Sequence, residues 1–395
     1  LLIPFKIPTD PMFVLKLIIR NTFRHPLRSL LTVAGVAIAV IAFGLLRTLV
    51  ELWYLGAESS SATRLVTRSS ISLVFSLPIS YRDKIRQVSG VTKVANANWF
   101  GGIYKSEKNF FPNFAVSGNY LDLYPEFMLS DDERKAFLMD RKGVVAGRKL
   151  ALKQGWKIGD QITLKGTIFP GQWDFVLRGI YRGSERTTDE SQFFFHWDYL
   201  NETLKKTMPR RADQTGIFLV GVKRPEQAAE VAQAVDDQFR NSLAETLTET
   251  EKAFQLSFVA MTEAIVIAIQ IVSYVVIVII MVVAANTMAM TARERISEYA
   301  TLKTLGFGTV HIAGVIFGES FAISLAGGML GIAATFPAAH WIETELSQFF
   351  PVFQVTQETV LLDLAAAATV GIIAGIFPTW RGATIKVADG LRRIG

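Results

Sequence analysis

Four long apolar runs and one long mixed segment divide the chain. Residues 264–290 carry no charge at all, and residues 30–46 read LLTVAGVAIAVIAFGLL. A third run, about 310–337, holds a single acid, Glu319, and a fourth, about 359–380, has Asp363 near one end. A helix needs about 20 apolar residues to cross a bilayer. These runs are apolar on every face, whereas a soluble amphipathic helix keeps a polar side. Four transmembrane helices are therefore predicted. The first has a basic approach, an apolar core too long for a cleaved signal and no A-x-A site after it, so it reads as an uncleaved signal-anchor.

Between the first two runs the pattern shortens into alternating strands and helices. Residues 66–75, 91–99, 143–146, 161–164, 173–181 and 216–222 read as strands. Residues 81–88 and 148–153 read as helices, the second stopped by Gly155. Pro225 opens a further helix, with Ala228, Val231, Ala232, Val235 and Phe239 at helical spacing. The segment is far too long for a connection. It predicts an α+β domain inserted between helices 1 and 2, whose first and last β-α units could pair as one split lobe. Residues 101–138 are rich in Phe and Tyr. These aromatics fit an ordinary core, the sharper alternative being an exposed apolar surface for a partner or an amphipathic cargo. Asp131, Asp132 and Glu133 read as a solvated helix start rather than a calcium loop. From Asn241 the chain turns polar and helix-favouring (NSLAETLTETEKAFQLSF), which predicts one continuous helix running into the second span.

Composition agrees with a bilayer. Of 395 residues, 50% are hydrophobic and 19% charged, with a mean hydropathy of +0.31, against about 25% charged in soluble chains. Disordered and collagen-like classes are excluded. The lack of cysteine excludes disulfides, thiolate zinc sites and cysteine nucleophiles. His25, His196, His311 and His340 lie on separate segments, so no metal site is predicted, and no Ser/His/Asp spacing stands out.

The net charge of +6 is concentrated in three places. Lys16, Arg20, Arg24 and Arg28 precede the first run; Arg293, Arg295 and Lys303 follow the second, against Glu294 and Glu298; Arg381, Lys386, Arg392 and Arg393 follow the fourth, against Asp389. The connection between the third and fourth runs holds Glu343, Glu345 and Glu358 and no base. The positive-inside rule then puts both termini and the 291–309 loop in the cytoplasm and the α+β domain outside. The basic balance is a topology signal and gives no support to nucleic-acid binding. The predicted organisation is a cytoplasmic amphipathic segment (1–28), helix 1 (29–52), the extracytoplasmic domain (53–258), helix 2 with its stalk (259–290), a cytoplasmic loop helix (291–309), helix 3 (310–337), an extracytoplasmic loop (338–358), helix 4 (359–380) and a cytoplasmic tail (381–395). Residues 1–11, with Pro4, Pro8 and Pro11 ahead of Met12, read as a short lead or as a trimmed or misassigned start.

Residues 291–319 read TARERISEYATLKTLGFGTVHIAGVIFGE. A short helix is predicted over 290–305, with Ile296, Tyr299, Ala300 and Lys303 on one side and Gly306 as its stop. Charges and a glycine alone describe a solvated turn, but their order here is more specific. It resembles the permease subunits of the MacB, LolC/LolE and FtsX type of ABC transporter, which typically show R-E-R-x-x-E-x-A-x-L-K-x-L-G after the second span. Arg293, Glu294, Arg295, Glu298, Ala300, Leu302, Lys303, Leu305 and Gly306 match in place. The third run is similar to the family's E-x(n)-G-G-x-x-G pattern through Glu319, Gly327, Gly328 and Gly331. The exit of the fourth run, with Pro378 and Arg381, resembles the family ending, except that Val387, Ala388 and Asp389 stand where Asp-Pro is usual. Residues 143–164 are similar to its periplasmic core segment, and His25 to Arg28 to its N-terminal helix.

This resemblance, to the type VII-like ABC superfamily with a MacB-like periplasmic core domain and an FtsX-like C-terminal domain, implies a dimer with an identical or different permease. It also implies two copies of a separate ABC ATPase subunit. Arg293, Glu294, Arg295, Glu298, Leu302, Lys303, Leu305 and Gly306 would form the coupling helix docked on that ATPase. The implied location is the bacterial cytoplasmic (inner) membrane, with membrane lipid around it and room for a periplasmic membrane-fusion adaptor. The chain carries no G-x-x-x-x-G-K-[ST] run. No cofactor is therefore expected on it, ATP and Mg belonging to the partner, and it is not expected to be an enzyme. The implied function is mechanotransmission: ATP hydrolysis moves the outer domain for export or membrane extraction of an amphipathic or lipid-linked substrate. The alternative is an FtsX-like transducer that activates an extracytoplasmic cell-wall hydrolase, which generally has a much smaller outer domain. Gly327 with Gly331 and Gly371 with Gly375 form small-x-x-x-small pairs for helix packing. Glu319 is an intramembrane acid, a functional site or the partner of a base. Asn286 is a candidate inter-helix hydrogen bond.

Overall fold

Each apolar run forms one long helix. In the computed structural model these are span 1 (Pro26–Glu58), span 2 (Glu263–Glu294), span 3 (Thr309–Glu345) and span 4 (Gln357–Ala383). The structure describes residues 20 and 24 and residues 26–58, 60–107, 109–185, 187–345 and 352–384. Most of the amphipathic start, including Lys16, and the tail with Lys386, Asp389, Arg392 and Arg393 lie outside the described residues. The protein is a membrane protein with four transmembrane helices and an α+β domain inserted between the first and second. It divides into two compact units: residues up to Glu51 with Glu263–Ile342 and those from Phe353 on, and Leu52–Thr262 with Glu343–Val352.

In the helical unit, span 3 is the hub. Half of its most apolar window is buried, against 17% for span 2. Glycines permit its close approach to two neighbours. A Cβ at Gly327 or Gly331 would stand 2.7 Å from the Cβ of Val36 or Val40 on span 1. On span 4, a Cβ at Gly371 would lie 3.1 Å from Ser324, and one at Gly375 3.1 Å from Phe317. With no hydrophobic drive between helices in lipid, such close backbone packing supplies the association energy. Val36, Val40, Phe43, Ile277, Ala284, Ala367, Val370 and Ala374 fill the centre. Span 3 continues through Pro337 to Glu345, since a bilayer helix tolerates a proline whose freed groups are re-satisfied nearby. Asn286 is exposed on span 2, and no described residue hydrogen-bonds its side chain.

Among the described residues the α+β unit has thirteen strands: β1 (Arg64–Ser69), β2 (Leu77–Pro78), β3 (Val91–Trp99), β4 (Gly102–Ile103), β5 (Asn113–Val116), β6 (Phe127–Met128), β7 (Gly143–Gly147), β8 (Gln161–Gly166), β9 (Gly171–Gly183), β10 (Phe193–His196), β11 (Gln214–Thr215), β12 (Ile217–Val222) and β13 (Thr246–Thr250). The main sheet runs β13-β1-β12-β3-β5-β10-β7-β9-β8-β4, with β6 added on β9, while β2 pairs β11 separately. Only β5–β10 and β7–β9 are parallel. The first and last β-α units do pair, β3 against β12, over a core of Leu65, Ile85, Val94, Phe218, Val231, Val235 and Phe239. The other lobe is packed largely by aromatics, among them Phe100, Trp156, Trp173, Phe175, Phe193 and Phe195. Within the aromatic segment Phe111, Tyr120 and Phe137 are buried and Phe110 is half exposed, so those rings are mainly core. Ser130 and Glu133 form a capping box at the head of Asp131–Met139, which explains the acidic triplet. Gly155 closes Arg148–Gln154 at φ +70.

The continuous helix expected from Asn241 is not present. Thr246–Thr250 is a strand beside β1, then Glu251–Met261 is a separate helix, and span 2 begins only after Thr262. The cause is Asp236, whose carboxylate accepts from the Thr246 hydroxyl at 2.8 Å and from the Thr248 hydroxyl and amide at 2.7 and 2.9 Å. A TLTET sequence with alternate threonines anchored this way gains more as a β-branched edge strand than as a helix. Thr250 then caps the next helix by accepting from the Ala253 amide.

Candidate functional site

The segment after span 2 folds around a break at Arg295. Span 2 ends at Glu294, and the loop helix Ile296–Thr304 begins anew, so the predicted helix over 290–305 is two pieces. Arg295 is 5% exposed. Its guanidinium donates to Glu319 of span 3 at 2.7 Å and to Glu298, one turn along the loop helix, at 3.2 Å. It also lies 5.6 Å from the centre of the Tyr299 ring. Burial pushes the Tyr299 hydroxyl up to about 12, against the opposing pull of Arg295. Tyr299 is therefore a neutral packing group, enclosed with Ala292, Ile312 and Ile316.

Three further charges of the motif are engaged by other parts of the helical unit. Glu294 accepts two hydrogen bonds from Arg28 at the head of span 1, at 2.5 and 2.9 Å, and Glu298 pairs with Arg24 at 2.8 Å. Lys303 donates to the Ala383 carbonyl at the end of span 4, 2.8 Å away. This bond supports orphan carbonyls at a helix C-terminus, where a cation is favourable. Gly306, at φ +97, ends the loop helix with two bonds. Its amide reaches Lys303 at 3.1 Å and the Phe307 amide reaches Leu302 at 3.0 Å, the two-bond Schellman stop that favours glycine. Gly382 of span 4 sits where a Cβ would stand 2.3 Å from Ile316. The loop helix is thus fixed to the starts of spans 1 and 3 and the end of span 4.

Of the eight candidate coupling residues, Arg295 is buried. Glu298, Leu302 and Lys303 are half-buried, while Arg293, Glu294, Leu305 and Gly306 are exposed. The free face of the segment is therefore Arg293, Thr301, Thr304 and Leu305 with Gly308 and Val310 beyond them. Leu305 is 62% and Val310 81% exposed. Gly327, Gly331, Gly371 and Gly375 lie between spans, away from this segment, and Asn286 stands apart from it.

Sequence reasoning missed a charged cluster in the α+β unit. Arg64, at the start of β1, is 4% exposed and pairs with Glu126 at 2.6 Å and Glu251 at 2.8 Å. It stacks 4.0 Å from the Tyr124 ring, whose hydroxyl donates to Glu251 at 2.9 Å. Burial holds that hydroxyl well above the usual tyrosine range. The pairs line a cavity of about 660 Å³ with Asp122, Glu185 and Asp189. The arginine that opens β1, whose sequence is RLVTRS, was the available signal. The arrangement has no nucleophile beside a base, and no metal-binding cluster occurs among the described residues. It ties the first strand of the domain to the helix that leaves it.

Comparison with known proteins gives two family matches. Residues 29–238 match the model of the MacB-like periplasmic core domain, and residues 270–387 that of the FtsX-like permease C-terminal domain. The chain is 23% identical over 397 residues to an uncharacterized ABC transporter permease of Methanocaldococcus jannaschii, covering 94% of this chain and 96% of the relative. Among solved structures it is similar to the extracellular domain of the noncanonic ABC-type transporter YknZ from Gram-positive bacteria (12% identity, TM-score 0.35, 47% of this chain and 100% of that one). It is also similar to the periplasmic region of MacB from Actinobacillus actinomycetemcomitans (8% identity, TM-score 0.37, 51% and 94%).

Proposed function

The chain belongs to the family of ABC transporter permeases with a MacB-like periplasmic core domain and an FtsX-like C-terminal domain, and from that premise we propose that it is a mechanical transmitter. ATP is bound and hydrolysed with Mg by two copies of a separate ATPase, which dock on the loop helix Ile296–Thr304. The movement passes through the spans to the extracytoplasmic domain, which exports an amphipathic or lipid-linked substrate or extracts it from the membrane. The permease works as a dimer, with itself or a second permease, in the bacterial inner membrane. Both termini are cytoplasmic, and an adaptor can complete the assembly outside.

One observation carries this reading: the loop helix is fixed to three spans at once. Arg295 at its start holds Glu319 of span 3, Lys303 holds the end of span 4, Glu298 holds Arg24 just ahead of span 1, and the adjoining Glu294, the last residue of span 2, holds Arg28 of span 1. A push on the exposed side of such a helix is delivered to the spans and not absorbed by a hinge. The family motif is read accordingly as two sets: Arg295, Glu298, Lys303 and Glu294 transmit, and Arg293, Leu305 and the Gly306 turn meet the ATPase.

The test is purification of the chain from its native membranes. An ATPase subunit is expected to accompany it, and Glu298→Ala and Gly306→Pro are each expected to lower its stimulated ATP hydrolysis. Isolation with no ATPase, together with unchanged hydrolysis in both variants, would overturn the proposal. Recovery of a cell-wall hydrolase whose activity follows the ATPase cycle would assign the chain instead to signal transduction.

A further inference from the structure

The helical unit holds a second acid that the loop-helix network does not use. Asp363 lies in the second turn of span 4 and is fully buried, with 0% exposure. Among the described residues, neither of its carboxylate oxygens has a hydrogen-bond partner. It is packed where three spans meet. A Cβ built on Gly44 of span 1 would stand 2.7 Å from its Oδ2, with the methyl of Thr335 of span 3 at 3.2 Å from the same point. The absence of a side chain at Gly44 is what leaves room for the carboxyl group.

The hydroxyls around this site are committed elsewhere. Thr335 donates to Gly331 and Thr48 to Gly44, each within its own helix, at 2.9 and 2.7 Å. Thr359, one turn before Asp363, donates to Glu51 at 2.8 Å. The charged groups nearby pair with one another, although the buried Nε of Arg47 makes no hydrogen bond among the described residues. Span 1 presents Glu51 and Arg47, paired at 3.3 Å, and Arg47 reaches Glu358 at the head of span 4 at 3.1 Å. On span 3 the next titratable residue beyond Thr335 is His340, more than a turn on and exposed. Glu51 thus has a cation and two hydroxyl donors, Thr359 and Thr356, whereas among the described residues Asp363 has neither.

An ionised carboxylate accepts hydrogen bonds only, and burying one unpaired in an apolar site costs far more than burying the neutral acid. We infer that Asp363 is a proton-binding site in the membrane: it carries its proton while spans 1, 3 and 4 are packed together and releases it when they part. The ligand is the proton, and the consequence is that separation of these helices is linked to pH. The packed state then binds one more proton than the separated state, so its stability falls as pH rises. This inference stands on the packing of Asp363 and is independent of the ATPase reading.

Dicyclohexylcarbodiimide, a membrane-soluble reagent, tests it. The carboxylic acid gives its proton to a carbodiimide nitrogen, its oxygen adds to the central carbon, and an acyl shift leaves a stable N-acylurea. The full chain is treated in native membranes at neutral pH and the adduct located by mass spectrometry. At least about tenfold more adduct is expected on Asp363 than on Glu319, whose carboxylate accepts from the Arg295 guanidinium. The melting temperature of the native chain is expected to fall with rising pH, and that of Asp363→Asn to follow a flatter curve. No adduct at Asp363, with the same pH slope in Asp363→Asn, would overturn the inference. So would suppression of labelling by sodium at fixed pH, which would make the carboxylate a metal-cation ligand.

Discussion

Glu319 on span 3 and Asp363 on span 4 are both buried acids, at the loop-helix end of the helical unit and towards the opposite end respectively. Around Glu319 the chain supplies a guanidinium, and that cation carries a second carboxylate, Glu298, with it. Around Asp363 it supplies a glycine, a methyl group and hydroxyls turned to other acceptors. The first arrangement is a joint, because parting span 3 from the loop segment breaks a buried, charge-assisted contact. The second has no partner to lose, so the helices can part at the cost of apolar packing and the release of a proton. The same residue class therefore fixes one end of the unit and leaves the other able to change.

Arg295→Ala is expected to give the largest effect. It would leave Glu319 buried without its cation, and breaking a buried pair costs about 3–5 kcal/mol. Thermal unfolding of the purified chain in detergent measures it, and Arg295→Ala/Glu319→Gln is expected to recover part of the loss. A small effect of Arg295→Ala would remove the joint from the comparison.

Gly44→Ala comes next. Its Cβ would be driven against the Asp363 carboxyl, and overpacking of this kind costs about 1–3 kcal/mol. Combined with Asp363→Ala the loss is expected to shrink, since the obstructing oxygen is gone. Equal losses in the single and double variants would show that Gly44 serves something other than room for Asp363. Gly306→Ala follows, at about 1–2 kcal/mol for a left-handed backbone position that glycine alone adopts freely.

These contrasts also show how far the sequence could be read. The spans were visible because bilayer helices are apolar on every face, and the resemblance of the 293–306 motif located the loop helix. The inward direction of most of its charges was not visible. Glu298 and Lys303 look like solvated residues until Arg24, ahead of span 1, and the Ala383 carbonyl of span 4 are brought to them from distant parts of the chain. The strand Thr246–Thr250 was hidden for the same reason, its deciding partner Asp236 lying on a neighbouring helix. Asp363 was seen near the end of an apolar run, where acids commonly reach water. Its burial depends on Gly44, more than three hundred residues earlier in the chain. Local pattern gave elements and motifs, and long-range packing decided which charges are paired.

The smallest effect expected is that of Asp363→Asn, and it sharpens the comparison most. An amide has nearly the shape of the acid, and the acid makes no hydrogen bond that the change could break. The stability change at neutral pH is therefore expected to stay within about 1 kcal/mol. Glu319→Gln, the same chemical change at the other end, removes the closer and more buried of the two carboxylates that compensate Arg295 and is expected to cost several times more. The ratio of the two losses, read from paired melting curves, measures how far each acid acts as a joint. Equal losses would mean that Asp363 also has a partner in the folded protein, and the distinction between the two ends would fall.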